Sequence, residues 1–256
     1  MACMHHTERG TGRAVVLVHG FPLDGRIFHE QLESLGRQYR VIVPDLPGFG
    51  QSPGSGPYTM ASLAGQLRQL LQSIQAIPCV LGGLSMGGYV TLAYARAYPD
   101  DLAGMILIDT RAEADTAERR QDRDRMMASA RQRGIAPIVE AMFPKLMAPE
   151  NVQADAGLAR RLRQIMESQQ PEGMCHALVA MRDREDFTPV LPSIRTPTLI
   201  LVGERDQITP LECAQRMHAG LARSRLVPIA GAGHLPVMER PGQTTEAIRE
   251  FLKELE

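Results

Sequence analysis

The chain has 256 residues, enough for one large domain or a domain with an inserted lobe, and needs no disulfide staples at that size. Its 28 basic and 29 acidic residues leave a formal net charge of −1, so no field draws in nucleic acid or an anionic membrane, and neither is expected as a partner. The four cysteines, Cys3, Cys79, Cys175 and Cys213, lack CxxC spacing, which argues against a metal cluster or disulfide framework and for a reducing compartment.

Residues 1–10 carry His5, His6, Glu8 and Arg9 and no apolar core, so no signal peptide is expected. Apolar runs are far too short to span a bilayer, and the expectation is a soluble cytoplasmic protein. Residues 14–18 (AVVLV), β-branched and bounded by turn residues, predict a fully buried strand. Residues 40–43 predict a second, stopped by Pro44. Leu63, Leu67, Leu70, Leu71 and Ile74 recur at helical spacing and predict a helix over 60–74. Residues 79–84 are strand-like, with Cys79 read as a small core residue. Residues 87–97 predict a helix ending near Pro99, and 105–108 another strand.

After Asp109 the texture changes. Residues 111–186 offer no convincing strand, are rich in arginine, and hold seven of the 14 methionines: Met126, Met127, Met142, Met147, Met166, Met174 and Met181. They predict helices broken at Pro137, Pro144, Pro149 and Pro171. The alternation then resumes with a strand at 198–202, a helix at 210–221, a strand at 225–229 and a final helix at 244–255. Strands alternating with helices predict an α/β fold with a mostly parallel central sheet flanked by helices. Residues 1–110 and 187–256 form the expected core, and 111–186 the expected helical insertion.

Gly83-Leu84-Ser85-Met86-Gly87 is a GxSxG motif with a strand before it and a helix after it. A sharp strand-to-helix turn strains the middle residue and tolerates only small neighbours, hence Gly83 and Gly87. It lifts the Ser85 hydroxyl above the sheet edge and aims the Met86 N–H, with the helix N-terminal charge, at a developing oxyanion. A serine nucleophile needs a base, and the base an orienting carboxylate, in the chain order Ser, acid, His. Of the seven histidines, His5, His6, His19 and His29 precede Ser85, His176 lies in the insertion and His218 in a predicted helix. His234, in a Gly-rich loop after the last strand, is the candidate base. Asp206, after the penultimate strand, is the candidate acid; Asp109 is its rival and Glu204 a weaker one.

These motifs resemble the α/β-hydrolase family, over almost the whole chain. His19-Gly20-Phe21-Pro22 resembles its HGxP loop, which implies the Phe21 N–H as the second oxyanion-hole donor beside Met86. The segment from Asp45 through Gly48 and Gly50 to Ser52 resembles the DxxGxGxS loop, the segment 203–210 the acid loop, Gly233-His234 the histidine loop, and 111–186 the cap. Ser85 in place of an Asp nucleophile, and the absence of Trp, separate the chain from haloalkane dehalogenases and epoxide hydrolases. The lack of Trp also weakens a likeness to perhydrolases and haloperoxidases. Within the family the chain is similar to bacterial esterases and 3-oxoadipate enol-lactonases. That likeness rests on Asp109-Thr110-Arg111, Pro171-Glu172-Gly173 and Ala180-Met181-Arg182-Asp183.

The expected activity is a carboxylic ester hydrolase acting on small to medium esters or lactones through an acyl-enzyme, with no metal or organic cofactor. Enol-lactone or C–C bond hydrolysis uses the same triad, and a small-molecule binding protein on a hydrolase fold is the alternative of another class. The oligomeric state is left open. The methionines of 111–186 either pack the insertion's own helices or line an adaptable apolar pocket above Ser85. Arg111 and Arg182 are the candidates for holding a substrate carboxylate, though the insertion counts 13 basic and 13 acidic residues.

Overall fold

A computed structural model of the chain describes residues 4–54 and 56–256; Cys3 lies outside them. The strands are β1 (His6–Arg9), β2 (Ala14–Val18), β3 (Arg40–Pro44), β4 (Cys79–Leu84), β5 (Leu102–Ile108), β6 (Thr198–Gly203) and β7 (Ser224–Ile229). They form one sheet in the order β1-β3-β2-β4-β5-β6-β7. Only β1 runs antiparallel, paired to β3; all other neighbours are parallel. Parallel neighbours need crossover connections, which the helices supply.

The helices are α1 (His29–Leu35), α2 (Met60–Ser73), α3 (Met86–Ala97), α4 (Ala117–Arg133), α5 (Ala136–Leu146), α6 (Pro149–Ala154), α7 (Ala156–Glu167), α8 (Pro171–Arg182), α9 (Leu211–Gly220), α10 (Pro236–Glu239) and α11 (Pro241–Glu254). Side chains alternate across each strand, so the sheet builds two cores. Val16, Val18, Leu81, Met105, Leu107, Ile200 and Val202 face α2, α3 and α9. Val15, Leu17, Val80, Ile106, Ile108, Leu199 and Leu201 face α1, α10 and α11. Burial on both faces explains why β2, β4 and β6 read as continuous apolar runs. Each such Val, Leu or Ile side chain contributes about 1.5–3 kcal/mol.

Every predicted strand and helix is present, with ends shifted by a few residues. The sequence pattern missed β1, whose HTER is polar and mostly exposed at the sheet edge, and the short helices α1 and α10. Residues 111–186 contain the five helices α4–α8 and no strand. Pro137, Pro149 and Pro171 sit in the first turns of α5, α6 and α8, where a missing N–H costs nothing. Pro144 departs from expectation: it lies inside α5, which continues to Leu146. Cys79 is fully buried, and burial pushes its thiol up to about 12, as suits an inert core cysteine. Among the described residues no helix is long and apolar enough to cross a membrane.

Candidate active site

The chain leaves β2 for β3 on one side and later returns to β4 on the other. Loops leaving β2 and β4 therefore diverge, opening a crevice at the carboxyl ends of the strands where α/β sheets place their ligands. Ser85 follows β4 directly and His19-Gly20-Phe21 follows β2, so the two sequence motifs flank this crevice.

Ser85 has φ 53° and ψ −111°, a left-handed backbone that a non-glycine residue holds at a cost of about 1–3 kcal/mol. The surroundings impose it. Its N–H donates to the Ile108 carbonyl at 2.9 Å, and its carbonyl accepts from the Thr110 hydroxyl at 2.8 Å and the Gly88 N–H at 2.9 Å. A Cβ on Gly83 would lie 2.1 Å from the Gly87 carbonyl oxygen, and one on Gly87 2.2 Å from that of Val18. Both glycines are therefore obligatory. Ser85 occupies the N-cap of α3, yet its side chain makes no capping bond, and Met86 begins the helix, where an N–H has no intrahelical partner.

Asp206 and His234 meet across the loops after β6 and β7. His234 Nδ1 lies 2.8 Å from Asp206 Oδ2, both side chains being almost fully buried. Asp206 Oδ1 accepts from the N–H groups of Ile208 (2.8 Å) and Thr209 (3.1 Å), a local Asp turn, and Oδ2 also accepts from the Thr209 hydroxyl. Burial opposes ionisation of Asp206, but the His234 ring, its hydrogen bond and the Thr209 hydroxyl prevail and hold the carboxyl well below the usual range. The rival Asp109 is fully buried beside this pair, its Oδ1 accepting from the Gly203 N–H at 2.8 Å. Burial, reinforced by the Asp206 charge and countered in part by Gly203, pushes Asp109 well above the usual carboxylate range. Two buried carboxyls share one site, and their surroundings push them in opposite directions. Glu204 is exposed and makes no part of it. Thr209 went unnoticed in the sequence; an Asp followed three residues later by Thr was the available signal.

The loops opposite are braced by buried polar groups. His19 donates from Nδ1 to the Gly20 carbonyl at 2.9 Å and accepts at Nε2 from the Leu46 N–H at 2.9 Å, which fixes one neutral tautomer. Burial lowers its pKa in keeping with that. His19 is thereby a brace rather than a base, tying the Phe21 turn to the loop after β3. Asp45 organises that loop, accepting from Gly25 and Gln51 N–H groups, each at 2.9 Å, while its carbonyl accepts from the Ser52 hydroxyl at 2.6 Å. Phe21 is buried and packs edge-to-face on Phe49.

The stretch 111–186 sits on these same loops. Gln169 accepts from the Gly50 N–H at 2.9 Å and donates to Asp24 at 2.6 Å, and Gly173 touches Gly48 so closely that neither could carry a Cβ. Its two stems meet where Phe187 N–H donates to the Ala112 carbonyl at 2.8 Å and Arg184 pairs with Asp115 at 2.7 Å. All seven methionines pack inward, five buried and Met126 and Met142 partly so, against the two cores. Ser85 is 9% exposed and His234 1%, so bulk water is largely kept from them. Arg182 is taken up by Asp124 and Asp183, each at 2.7 Å. Arg111 is buried, its Nη2 donating to the Ile208 carbonyl and its Nε buried without a hydrogen-bond partner.

Asp109, Asp206 and His234 are the group of His, Cys, Asp and Glu side chains, among the described residues, whose atoms approach closely enough to hold a metal ion. The Nδ1–Oδ2 spacing of 2.8 Å is that of a hydrogen bond, and Asp206 Oδ2 is also taken up by the Thr209 hydroxyl.

A strained serine elbow at the switch point and a buried His–Asp pair on the neighbouring strand ends are the marks of a hydrolase fold. Residues 13–241 match the alpha/beta hydrolase fold family, and the chain belongs to it. It is 32% identical to AB hydrolase superfamily protein YisY of Bacillus subtilis, over 94% of this chain and 92% of that one. It resembles a thermophilic esterase from Thermogutta terrifontis, solved with malate bound, at 43% identity and a TM-score of 0.96 over 98% of this chain and 93% of that one. The enol-lactonase from Burkholderia xenovorans LB400 shares the fold with a TM-score of 0.91 at 24% identity, over 98% and 96% of the two chains. The protein is thus a hydrolase of the α/β-hydrolase superfamily, with an esterase among its structural relatives.

Proposed function

We propose that the chain is a carboxylic ester hydrolase for small to medium esters or lactones, with Ser85, His234 and Asp206 as its triad. The observation that carries this reading is the buried His234–Asp206 bond in the loops after β6 and β7, at the same carboxyl edge of the parallel sheet as the strained Ser85 elbow after β4. Ser85 Oγ attacks the ester carbonyl while His234 takes its proton. The Phe21 and Met86 N–H groups stabilise the oxyanion. As the tetrahedral intermediate collapses, His234 returns the proton to the departing alcohol, leaving Ser85 acylated. Water, deprotonated by His234, then attacks the acyl carbon; the bond to Ser85 Oγ breaks, His234 returns the proton to Ser85 and the acid leaves. Asp206 holds the imidazole in the tautomer with its proton on Nδ1 and stabilises the imidazolium. The 43% identity to an esterase supports this choice among hydrolases.

Residues 111–186 act in this reading as a cap on a core of 1–110 and 187–256, supported by the joined stems and by the contacts of Gln169 and Gly173 with the site loops. A cytoplasmic location belongs to the same reading, supported by the buried free thiols of Cys79, Cys175 and Cys213. A second reading, a lactone or ester bearing a free carboxylate, is favoured by Arg111, whose buried guanidinium has no carboxylate partner among the described residues. Steady-state turnover of p-nitrophenyl butyrate, with Ser85→Ala as control, tests the proposal. Tight binding of esters without turnover would instead mark a binding protein on a hydrolase fold.

A further inference from the structure

Beneath the His234 loop lies a buried carboxylate that the proposed mechanism does not use. Glu239, at the end of α10, is 6% exposed and accepts four hydrogen bonds. Its Oε1 takes the N–H groups of Gly233 at 2.9 Å and Leu235 at 3.2 Å, the two residues that flank His234. Its Oε2 takes the Ala148 N–H at 2.8 Å and the Asn151 side-chain amide at 2.6 Å, both from the insertion at the start of α6. Asn151 also donates to the Gly231 carbonyl at 2.8 Å and accepts from Arg240 at 2.9 Å. The backbones are in contact as well, since a Cβ on Gly233 would fall 2.4 Å from the Ala148 nitrogen.

From this arrangement we infer that Glu239 is a positioning residue that sets His234 and makes its placement depend on the seating of the Met147–Asn151 corner of the insertion. A loop holding a base must fix two peptide planes, or the imidazole swings with them. Neighbouring glycines at 231 and 233 supply no side chains to do so. Glu239 does it from below by capturing the N–H on each side of His234. One carboxylate satisfies both the histidine loop and the insertion, so displacing the corner strips Oε2 of both its donors, and an underbonded buried carboxylate is costly. The insertion then contributes to the rate and not only to the shape of the pocket. Misplacement of a reacting group by about 1 Å costs on the order of 100-fold, so the effect falls on kcat.

The inference rests on His234 being the base, and the test separates the two. Wild type, His234→Ala, Glu239→Gln and Asn151→Ala are compared on p-nitrophenyl butyrate across pH, with circular dichroism and thermal melting to establish folding. In Glu239→Gln the amide NH₂ faces donors and cannot accept from them, and the negative charge beside the loop is gone. The expected result is a kcat lowered roughly 10- to 100-fold with KM changed less than about threefold. The acid limb of the kcat/KM profile moves to lower pH, since the imidazolium loses a nearby negative charge. Asn151→Ala, distant in sequence and outside the triad, lowers kcat in the same direction by a smaller factor. A folded Glu239→Gln with unchanged kcat and pH limb, beside a crippled His234→Ala, would overturn the inference and leave the triad standing. A silent His234→Ala would overturn the triad itself. If neither Glu239→Gln nor Asn151→Ala folds, the network serves stability and not positioning, and the inference fails.

Discussion

Asp206 and His234, 28 residues apart in the chain, meet through a 2.8 Å bond in which neither side chain exposes more than 2% of its surface. The pair lies on the loops that leave two neighbouring parallel strands, β6 and β7, whose last residues Gly203 and Ile229 stand opposite one another. Because β4 to β7 all run parallel, the loops that carry Ser85, Asp206 and His234 leave the sheet at the same edge.

The triad should behave as a unit. Ser85→Ala or His234→Ala is expected to lower kcat by roughly 10⁶, the loss seen when such a group is removed from a serine hydrolase. Asp206→Asn should cost on the order of 10⁴, because an amide favours the wrong tautomer. A serine-reactive phosphonate should label Ser85 alone. An Asp206→Asn variant near wild-type rate, beside a crippled Asp109→Asn, would transfer the acid's role to Asp109.

Asp109 makes a prediction about stability. Its folded pKa is raised above the unfolded value, so its contribution to stability is fully present below the unfolded pKa and is lost as pH rises through the folded one. In Asp109→Asn the amide keeps an oxygen for the Gly203 N–H and does not titrate. Relative to the parent, that variant should therefore gain stability as pH climbs from about 4, by at most about 1.4 kcal/mol per unit. Urea denaturation at several pH values measures this. A difference that is flat or shrinks with pH would mean that Asp109 is ionised in the fold.

The elbow glycines allow a packing test. Gly87→Ala places a Cβ against the Val18 and His19 carbonyls, backbone atoms that cannot rotate away. A destabilisation of about 3 kcal/mol is expected in chemical denaturation, together with loss of phosphonate labelling. Full labelling in a stable Gly87→Ala protein would show that the turn relaxes more easily than these contacts imply.

Exhaustive chelation should leave ester hydrolysis unchanged, because the one compact His–carboxylate group among the described residues is occupied by its own hydrogen bonds. Activity lost on chelation and restored by zinc would replace the acyl-enzyme mechanism with a metal-assisted one.

Substrate charge separates the two readings of specificity. Neutral short-to-medium acyl esters are expected to be hydrolysed faster than carboxylate-bearing lactones, with chain-length discrimination limited to about 1–3 kcal/mol per methylene. Arg182→Ala should not alter that ranking, since Arg182 is already paired with two aspartates. A kcat/KM for 3-oxoadipate enol-lactone far above that for p-nitrophenyl butyrate, abolished in Arg111→Ala, would reverse it.

Local chemistry was readable in the sequence. The AVVLV run, the Gly83–Gly87 spacing around Ser85, and the order of Ser85, Asp206 and His234 each depend on residues a few positions apart or on which strand a loop follows. Backbone sterics act over that range, and so the strands, the elbow and the sheet class were all legible. The sequence left Asp206 and Asp109 as candidate and rival, and the tertiary structure separates them: Asp206, in the loop beyond β6, bonds His234, while Asp109, directly after β5, is spent on the Gly203 N–H. Tertiary structure alone turned the insertion's methionines inward, sequestered Arg182 while sparing Arg111, and brought Glu239 under a loop it shares with Asn151, 88 positions away. Those outcomes depend on desolvation and on partners delivered by other strands and helices, and a side chain's place along the chain does not encode how dry its surroundings become once the sheet closes over it.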